Sequence, residues 1–308
     1  MPRKRARPNT EMVGSDDEGD AIDETPKASS RAWKKNAQDL SRGSTPSLVS
    51  SSAASGTSSP IKQLRYAATH DAGFATVPFV DNVHRLPPSL QKIPQELVNI
   101  GYGVAMLPQS MREELQSLGD FPEHAFYDSV EQPSQWRIPP VPLIRWLVSR
   151  AAECQRFSEG ESSWNNDIHD SALKWVFRET EDVAMFDYRY WHPLALSIET
   201  KRQAEWEKAL LQIATWHSAQ WRALQFSTKV ESIEFLAGVI VQGHSWYFVA
   251  STLEDGVSTL YHRVPLGSAE THFELFKLLK ALQCLASWIK DKYWPAFRAD
   301  ILKLPAIE

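Results

Sequence analysis

Of the 12 tryptophans in the chain, only Trp33 precedes residue 130. Aromatic side chains bury the most surface per residue, so this distribution fixes where a core can form. The chain has 308 residues, 43% of them hydrophobic, which suits one large domain or two small ones. The first stretch has no share in that core. "PRKRAR" is basic, "EMVGSDDEGDAIDE" is acidic, and "SRGSTPSLVSSSAASGTSSP" is rich in serine. Such segments bury too little apolar surface to offset chain entropy, so residues 1–60 are expected to form a disordered, low-complexity tail. The basic hexamer has the composition of a nuclear import signal and equally that of a solvated tail.

Residues 61–140 are punctuated by proline. "LPPSLQKIPQELVNIGYG" predicts short helical turns broken at the prolines, and the segment reads as a partly ordered extension. From residue 141 the texture changes. Leu143, Trp146, Leu147 and Ala151 recur at helical spacing, and Trp164, Ile168, Ala172 and Val176 repeat the period. "DVAMFDYRYW" and "LALSIETK" read as two strands separated by Trp191-His192-Pro193. A long amphipathic helix is predicted from about Gln203 to Phe226. The segments "EFLAGVIVQ", "SWYFVAST" and "STLYHRVP" read as three more strands, and "ETHFELFKLLKALQCLASWIK" as a closing helix. The order predicts an α/β fold over residues 141–308, a mixed central sheet flanked by helices.

Composition excludes several classes. Net charge is −5, and from Val141 onward 18 Lys and Arg face 21 Asp and Glu, a balance of −3. The chain is therefore not a basic nucleic-acid binder by composition. Cys154 and Cys284 both fall in helical apolar patterns and read as reduced, buried thiols of an intracellular protein. No secretion signal and no apolar run of about 20 residues is present, so a soluble, non-membrane protein is expected. His192, His217, His244 and His262 lack zinc-ligand spacing. There is no glycine-rich phosphate loop and no Gly-x-Ser-x-Gly elbow.

The end of "LSIETKRQ" carries the chemistry. Side chains alternate along a strand, so Glu199 and Lys201 share one face while Leu196 and Ile198 do not. Folding the preceding strand back through His192-Pro193 sets Asp187 opposite residues 197 to 199, and cross-strand partners share a face. Two carboxylates so close repel unless a divalent cation lies between them. Oxygen ligands of this kind suit Mg²⁺ or Mn²⁺. A lysine beside them can orient or deprotonate a water whose pKa the metal lowers. Glu-x-Lys alone is a weak signal whose ordinary meaning is a surface ion pair at a strand end. A two-carboxylate glycosidase fits less well, because Lys201 crowds Glu199.

"ESSWNNDIH", "FDYRYW", "LSIETKRQ", "LLQIATWHSAQ" and "VQGHSWYF" follow one another in this order. As a set, over about residues 140 to 300, they resemble the fungal PD-(D/E)XK nuclease-like domain proteins. The resemblance implies a restriction-endonuclease-like fold with Asp187, Glu199 and Lys201 as catalytic core. Glu161 matches the acidic residue that the first core helix gives to the metal site. Gln212 matches the glutamine of a Gln-x-x-x-Tyr element, with Trp216 in the aromatic place. Phe186 stands where the family name has proline. A Mg²⁺ or Mn²⁺ cofactor and a nucleic-acid substrate are implied. The alternative is the same fold kept as a non-catalytic protein- or nucleic-acid-binding module.

Other residues carry structural expectations. Trp164 and Asn165 read as packing and capping residues, and His169 as the donor or acceptor of a structural hydrogen bond. Gln212 and Trp216 share a helix face at i, i+4, where packing and a site role both stay open. Gly243 in "VQGHSW" reads as a hairpin turn.

Overall fold

The computed structural model describes residues 58–70, 73–82, 86–128, 136–178, 194–227 and 229–304. The tail expected over residues 1–60, apart from its last three positions, lies outside the described residues. So do the strand expected over 182–191 and the turn at His192-Pro193.

Two elements open the described residues, α1 (Pro60–Ala68) and β1 (Phe74–Pro78), followed by α2 (Pro88–Gly101). A short parallel pair, β2 (Leu107–Pro108) and β3 (Phe126–Tyr127), brackets α3 (Arg112–Leu115). Helix α4 (Val141–Arg156) precedes a helical run made of α5 (Glu161–Ser163), a π-helix (Trp164–His169) and α6 (Asp170–Phe177). Then come β4 (Leu196–Lys201), α7 (Trp206–Ser227), β5 (Leu236–Gln242), β6 (Ser245–Glu254) and β7 (Val257–Ser268). Helix α8 (His272–Trp288), a π-turn (Ile289–Tyr293) and α9 (Trp294–Asp300) close the described chain.

The main sheet runs β1-β7-β6-β5-β4. Strands β5, β6 and β7 form an antiparallel meander, while β4 joins β5 and β1 joins β7 in parallel. The mixed sheet expected from sequence is present, with helices on both faces. The three strands expected after the long helix are β5, β6 and β7. Parallel neighbours need a crossover, and α7 supplies it between β4 and β5. Gly243, at φ +56°, is the first of two loop residues between β5 and β6, where a II′ turn requires a positive φ.

Every residue of β5 is buried, as a central strand covered on both faces demands. One face packs Ile240, Val249, Leu260 and Phe74 against Ala209, Leu210, Ile213 and Ala214 of α7. The other face carries the larger core, built from α2, α4, α6 and α8. Gly238 lets α7 come close: a Cβ there would lie 2.8 Å from Ile213 Cδ1 and 3.1 Å from His217 Cε1.

Three details depart from expectation. Residues 61–140 contribute a sheet strand, β1, and a core helix, α2. Helix α2 runs 14 residues straight through Pro94 and is not a set of broken turns. Its buried Leu90, Ile93, Leu97 and Ile100 outweigh the cost of an internal proline, since each large aliphatic contributes roughly 1.5–3 kcal/mol against about 3 for the proline. In α4 the buried stripe is Val141, Ile144, Leu147, Ala151 and Cys154, whereas Trp146 is 46% exposed. Helical phase at 3.6 residues per turn puts Trp146 beside the stripe.

Some polar groups inside the core are bound across long stretches of chain. Asp300 accepts hydrogen bonds from the backbone N–H groups of Glu231, Ser232 and Ile233 and so ties α9 to the chain entering β5. Trp221 Nε1 donates to Ser251 Oγ at 3.0 Å, leaving the hydroxyl to donate to His217 Nδ1 at 2.9 Å. Burial holds His217 neutral, its pKa pushed down to about 3. Burial likewise pushes His169 down to about 4. An unfolded imidazole takes up a proton near 6.5, and the fold does not. Stability from these residues is therefore complete above about pH 6.5 and is lost as pH falls toward 4. For His217 the slope is about 1.4 kcal/mol per pH unit. Urea unfolding of His217→Gln between about pH 6.5 and 4.5 should show a slope smaller by about one proton; an unchanged slope refutes this account.

Candidate active site

Strand β4 places the acidic and basic groups. Glu199 is paired in register with Ile240, whose side chain faces α7, so Glu199 also lies on the α7 face. It is only 3% exposed. Lys201, two residues on, shares that face by the pleat. Its Nζ lies 2.6 Å from Glu199 Oε1 and donates to the Thr200 carbonyl at 3.0 Å. The Glu199 contact is a charge contact by distance, without the alignment of a hydrogen bond. Thr200 Oγ1 donates to Glu161 Oε1 at 2.6 Å, and the same oxygen lies 3.9 Å from Lys201 Nζ. One ammonium thus stands between two carboxylates from two different elements.

The electrostatics follow from burial. Burial raises the Glu199 carboxyl above the ordinary value; Lys201 opposes this, and Glu161 adds to it. Burial alone would lower Lys201, but Glu199 and Glu161 outweigh it and raise the amine. Lys201 is held as a cation. Lys208, on the first turns of α7, also acts on Glu199 through its charge.

Glu161 is fixed by the helical run it opens. The π-helix "WNNDIH" inserts an extra residue into a turn, a feature frequent at functional sites. Arg150 of α4 holds that run: Nε donates to Asp167 at 2.8 Å, and Nη2 donates to Glu159 at 2.7 Å. His169 Nδ1 pairs with Asn165 Oδ1 at 2.9 Å. The Trp164 ring meets His244 edge-on at 5.0 Å, and His169 meets Trp246 at 5.1 Å. His244 also pairs with Gln155 of α4. The β5–β6 hairpin is therefore locked to the helix that carries Glu161. Gln242, at the end of β5, donates to the carbonyls of Arg202 and Gln203, both at 3.2 Å, and holds the chain as it leaves Lys201.

The residues singled out in sequence sort as follows. Glu161, Glu199 and Lys201 come together. Gln212 lies half-buried on α7, one turn beyond Lys208, and its side chain makes no hydrogen bond among the described residues. Asp187 lies outside the described residues. Trp164 packs as expected, and Asn165 binds His169 instead of capping a helix. Thr200 and Lys208 join the site beyond the residues expected there from sequence. The i, i+4 series Lys208, Gln212, Trp216 was the available signal for Lys208; Thr200 had none, since strand alternation points it away from Glu199.

No trio of His, Cys, Asp or Glu among the described residues is grouped to hold a metal ion. The two carboxylates present do fit a hard cation in kind. Glu199 is a buried carboxylate whose Oε1 lacks an aligned hydrogen-bond donor, and oxygen donors suit Mg²⁺ or Mn²⁺. No helix among the described residues is long and apolar enough to cross a membrane.

Comparison with family models matches the PD-(D/E)XK nuclease superfamily over residues 110–190 and 182–294. The chain belongs to the PD-(D/E)XK nuclease superfamily. Asp187 falls in both matched segments, and Glu161, Glu199, Lys201 and Gln212 are all covered. Comparison with curated proteins and with solved structures gives no match. In this superfamily member the β4–α7–β5 unit carries Glu199 and Lys201, and the helix before it carries Glu161.

The Glu199–Lys201 pair should behave as a coupled unit. Lys201→Met leaves a buried carboxylate without its cation and should cost about 3 kcal/mol in urea unfolding. The double variant Glu199→Gln/Lys201→Met should cost much less, because no charge is stranded. Additive costs in the double variant would show that the two groups do not interact.

Proposed function

We propose that the chain is a divalent-metal-dependent nuclease that hydrolyses phosphodiester bonds in DNA or RNA, of the kind its motifs resemble in fungi. The observation that carries this reading is the convergence of Glu161, Glu199 and Lys201 at the end of β4, in a chain of nuclease ancestry. Glu161, Asp187 and Glu199 would hold Mg²⁺ or Mn²⁺, with Asp187 brought in by a hairpin from residues 182–191. The bound ion supplies Lewis acidity toward a phosphoryl oxygen and a more acidic water.

The rest falls to the chain's own groups. Lys201, held protonated, donates hydrogen bonds to the attacking water or to a non-bridging phosphate oxygen. It neutralises charge as the pentacovalent transition state forms, and does not take a proton. Glu161 accepts from Thr200 and keeps its second oxygen for the site. Gln212, on the same helix as Lys208, has an uncommitted amide that can bind substrate or water. The second reading, a non-catalytic binding module, draws on the domain's acidic balance.

Plasmid and single-stranded oligonucleotides, incubated with Mg²⁺, Mn²⁺ or EDTA, should be cleaved only when metal is present. Glu199→Gln and Lys201→Ala should each reduce the rate by about 100-fold or more. Cleavage in EDTA, or cleavage that survives both substitutions, overturns the mechanism. A folded protein that binds neither ion at millimolar concentration by calorimetry is the non-catalytic module.

A further inference from the structure

Strand β7 contains an irregularity that regular pairing does not require. Val264 pairs with Phe248 and Tyr261 with Ala250, so His262 and Arg263 together oppose the single residue Val249. This is a β-bulge, two residues against one, and bulges re-aim side chains, often next to active sites. Arg263 has φ +81°, a left-handed conformation that is strained for an arginine. Consecutive residues of a regular strand point to opposite faces. Here both reach one ring: the Arg263 guanidinium carbon lies 4.8 Å from the Trp206 centroid, and the His262 ring lies 6.0 Å from it.

Trp206 belongs to the site's neighbourhood. It starts α7, five residues after Lys201. Its ring meets Tyr247 edge-on at 5.3 Å. Tyr247 pairs with Ile240, and Ile240 with Glu199, so the three lie in one row across the sheet. At the usual strand spacing the Tyr247 backbone is about 10 Å from that of Glu199. Tyr247, Trp206 and Arg263 therefore extend from the carboxylates along the α7 face. Arg263 is exposed, and it forms no ion pair among the described residues. Of the other cations near the site, Lys201 is engaged by Glu199, Lys208 by Glu205 at 3.1 Å, and Arg150 by Glu159 and Asp167, while Arg202 is exposed beside Lys201.

We infer that Arg263, backed by Trp206, is a subsite for an unpaired nucleotide flanking the scissile bond, so that the substrate is a single-stranded nucleic acid. A guanidinium stacked on an aromatic ring offers a flat face to a base and a positive charge to its phosphate. Duplex binding draws on many phosphate contacts, which a chain with a balance of −3 from Val141 onward supplies poorly. Stacking on an unpaired base needs only a local platform. This inference rests on the nuclease reading of the Glu199–Lys201 site, which it narrows to one substrate class.

The test is fluorescence anisotropy of the full chain in EDTA, so that metal-dependent cleavage does not intervene. The probes are a labelled oligothymidylate of about 15 nucleotides and a duplex of equal length. The wild-type protein should bind the single strand more tightly than the duplex. Arg263→Gly keeps the left-handed backbone at no steric cost, so its melting temperature should match or exceed that of wild type. Its single-strand affinity should fall by about tenfold or more, and Trp206→Leu should weaken binding similarly. Arg263→Gly that binds as wild type does, or a wild-type preference for duplex, overturns the inference. Wild-type protein that binds neither probe overturns it as well. Cleavage with Mg²⁺ by a wild type whose binding ignores Arg263→Gly rejects the subsite and keeps the nuclease. Arg263-dependent binding without any metal-dependent cleavage keeps the subsite and rejects the nuclease.

Discussion

A carboxylate on the buried face of a sheet stays ionised only where a cation meets it, and Glu199 meets Lys201 two residues along the same strand. That spacing is not free. The pleat allows two side chains of one strand to share a face only at even separation. The strand must also be held flat against its neighbour to its last residue, or Lys201 swings away. The register from Leu196↔Ala237 to Lys201↔Gln242 does this, and Gln242 continues the hold through the Arg202 and Gln203 carbonyls. Helix α7 fixes the register in turn, because Gly238 brings it onto β5 with no Cβ between.

The motifs that carry the family resemblance divide between chemistry and support. "LSIETKRQ" holds Glu199 and Lys201. "ESSWNNDIH" contributes Glu161, but its Trp164, Asn165 and His169 face the β5–β6 hairpin and each other. "VQGHSWYF" supplies the opposite half of that contact through His244 and Trp246. The two segments are 70 or more positions apart and act as one clamp, which aims the helix end bearing Glu161 at the end of β4. A buried, neutral imidazole suits a clamp, since it presents both a donor and an acceptor without a charge to solvate.

Period and position made most of this readable in the sequence. The 3.6-residue recurrence from residue 141 located α4, α6, α7 and α8, and the even spacing in "IETK" put Glu199 and Lys201 on one side. Pattern failed where tertiary burial overrode a local signal. Pro94 reads as a break, yet α2 continues through it because four aliphatic residues bury against α8 and the sheet. Strand β1 stays hidden because five residues ending in proline carry no alternation of their own and are recruited by β7. The contact from Thr200 to Glu161 spans 39 positions and depends on β4 lying beside α5, which no local rule encodes. Arg263 is the extreme case, since a bulge is a property of two strands together.

The acidic balance of the domain and the charged state of Lys201 bear on each other. An ammonium between two carboxylates has its pKa raised, so it holds its proton through the neutral range. It cannot then serve as the base that activates water. A phosphodiester hydrolase built this way would need its proton acceptor from elsewhere, a carboxylate or bulk water. The same pairing leaves Lys201 only partly available to a phosphate, since Glu199 and Glu161 already neutralise it. In the proposed nuclease, binding strength would come from groups not already matched by acids, and on the α7 face the guanidinium set over Trp206 is such a group.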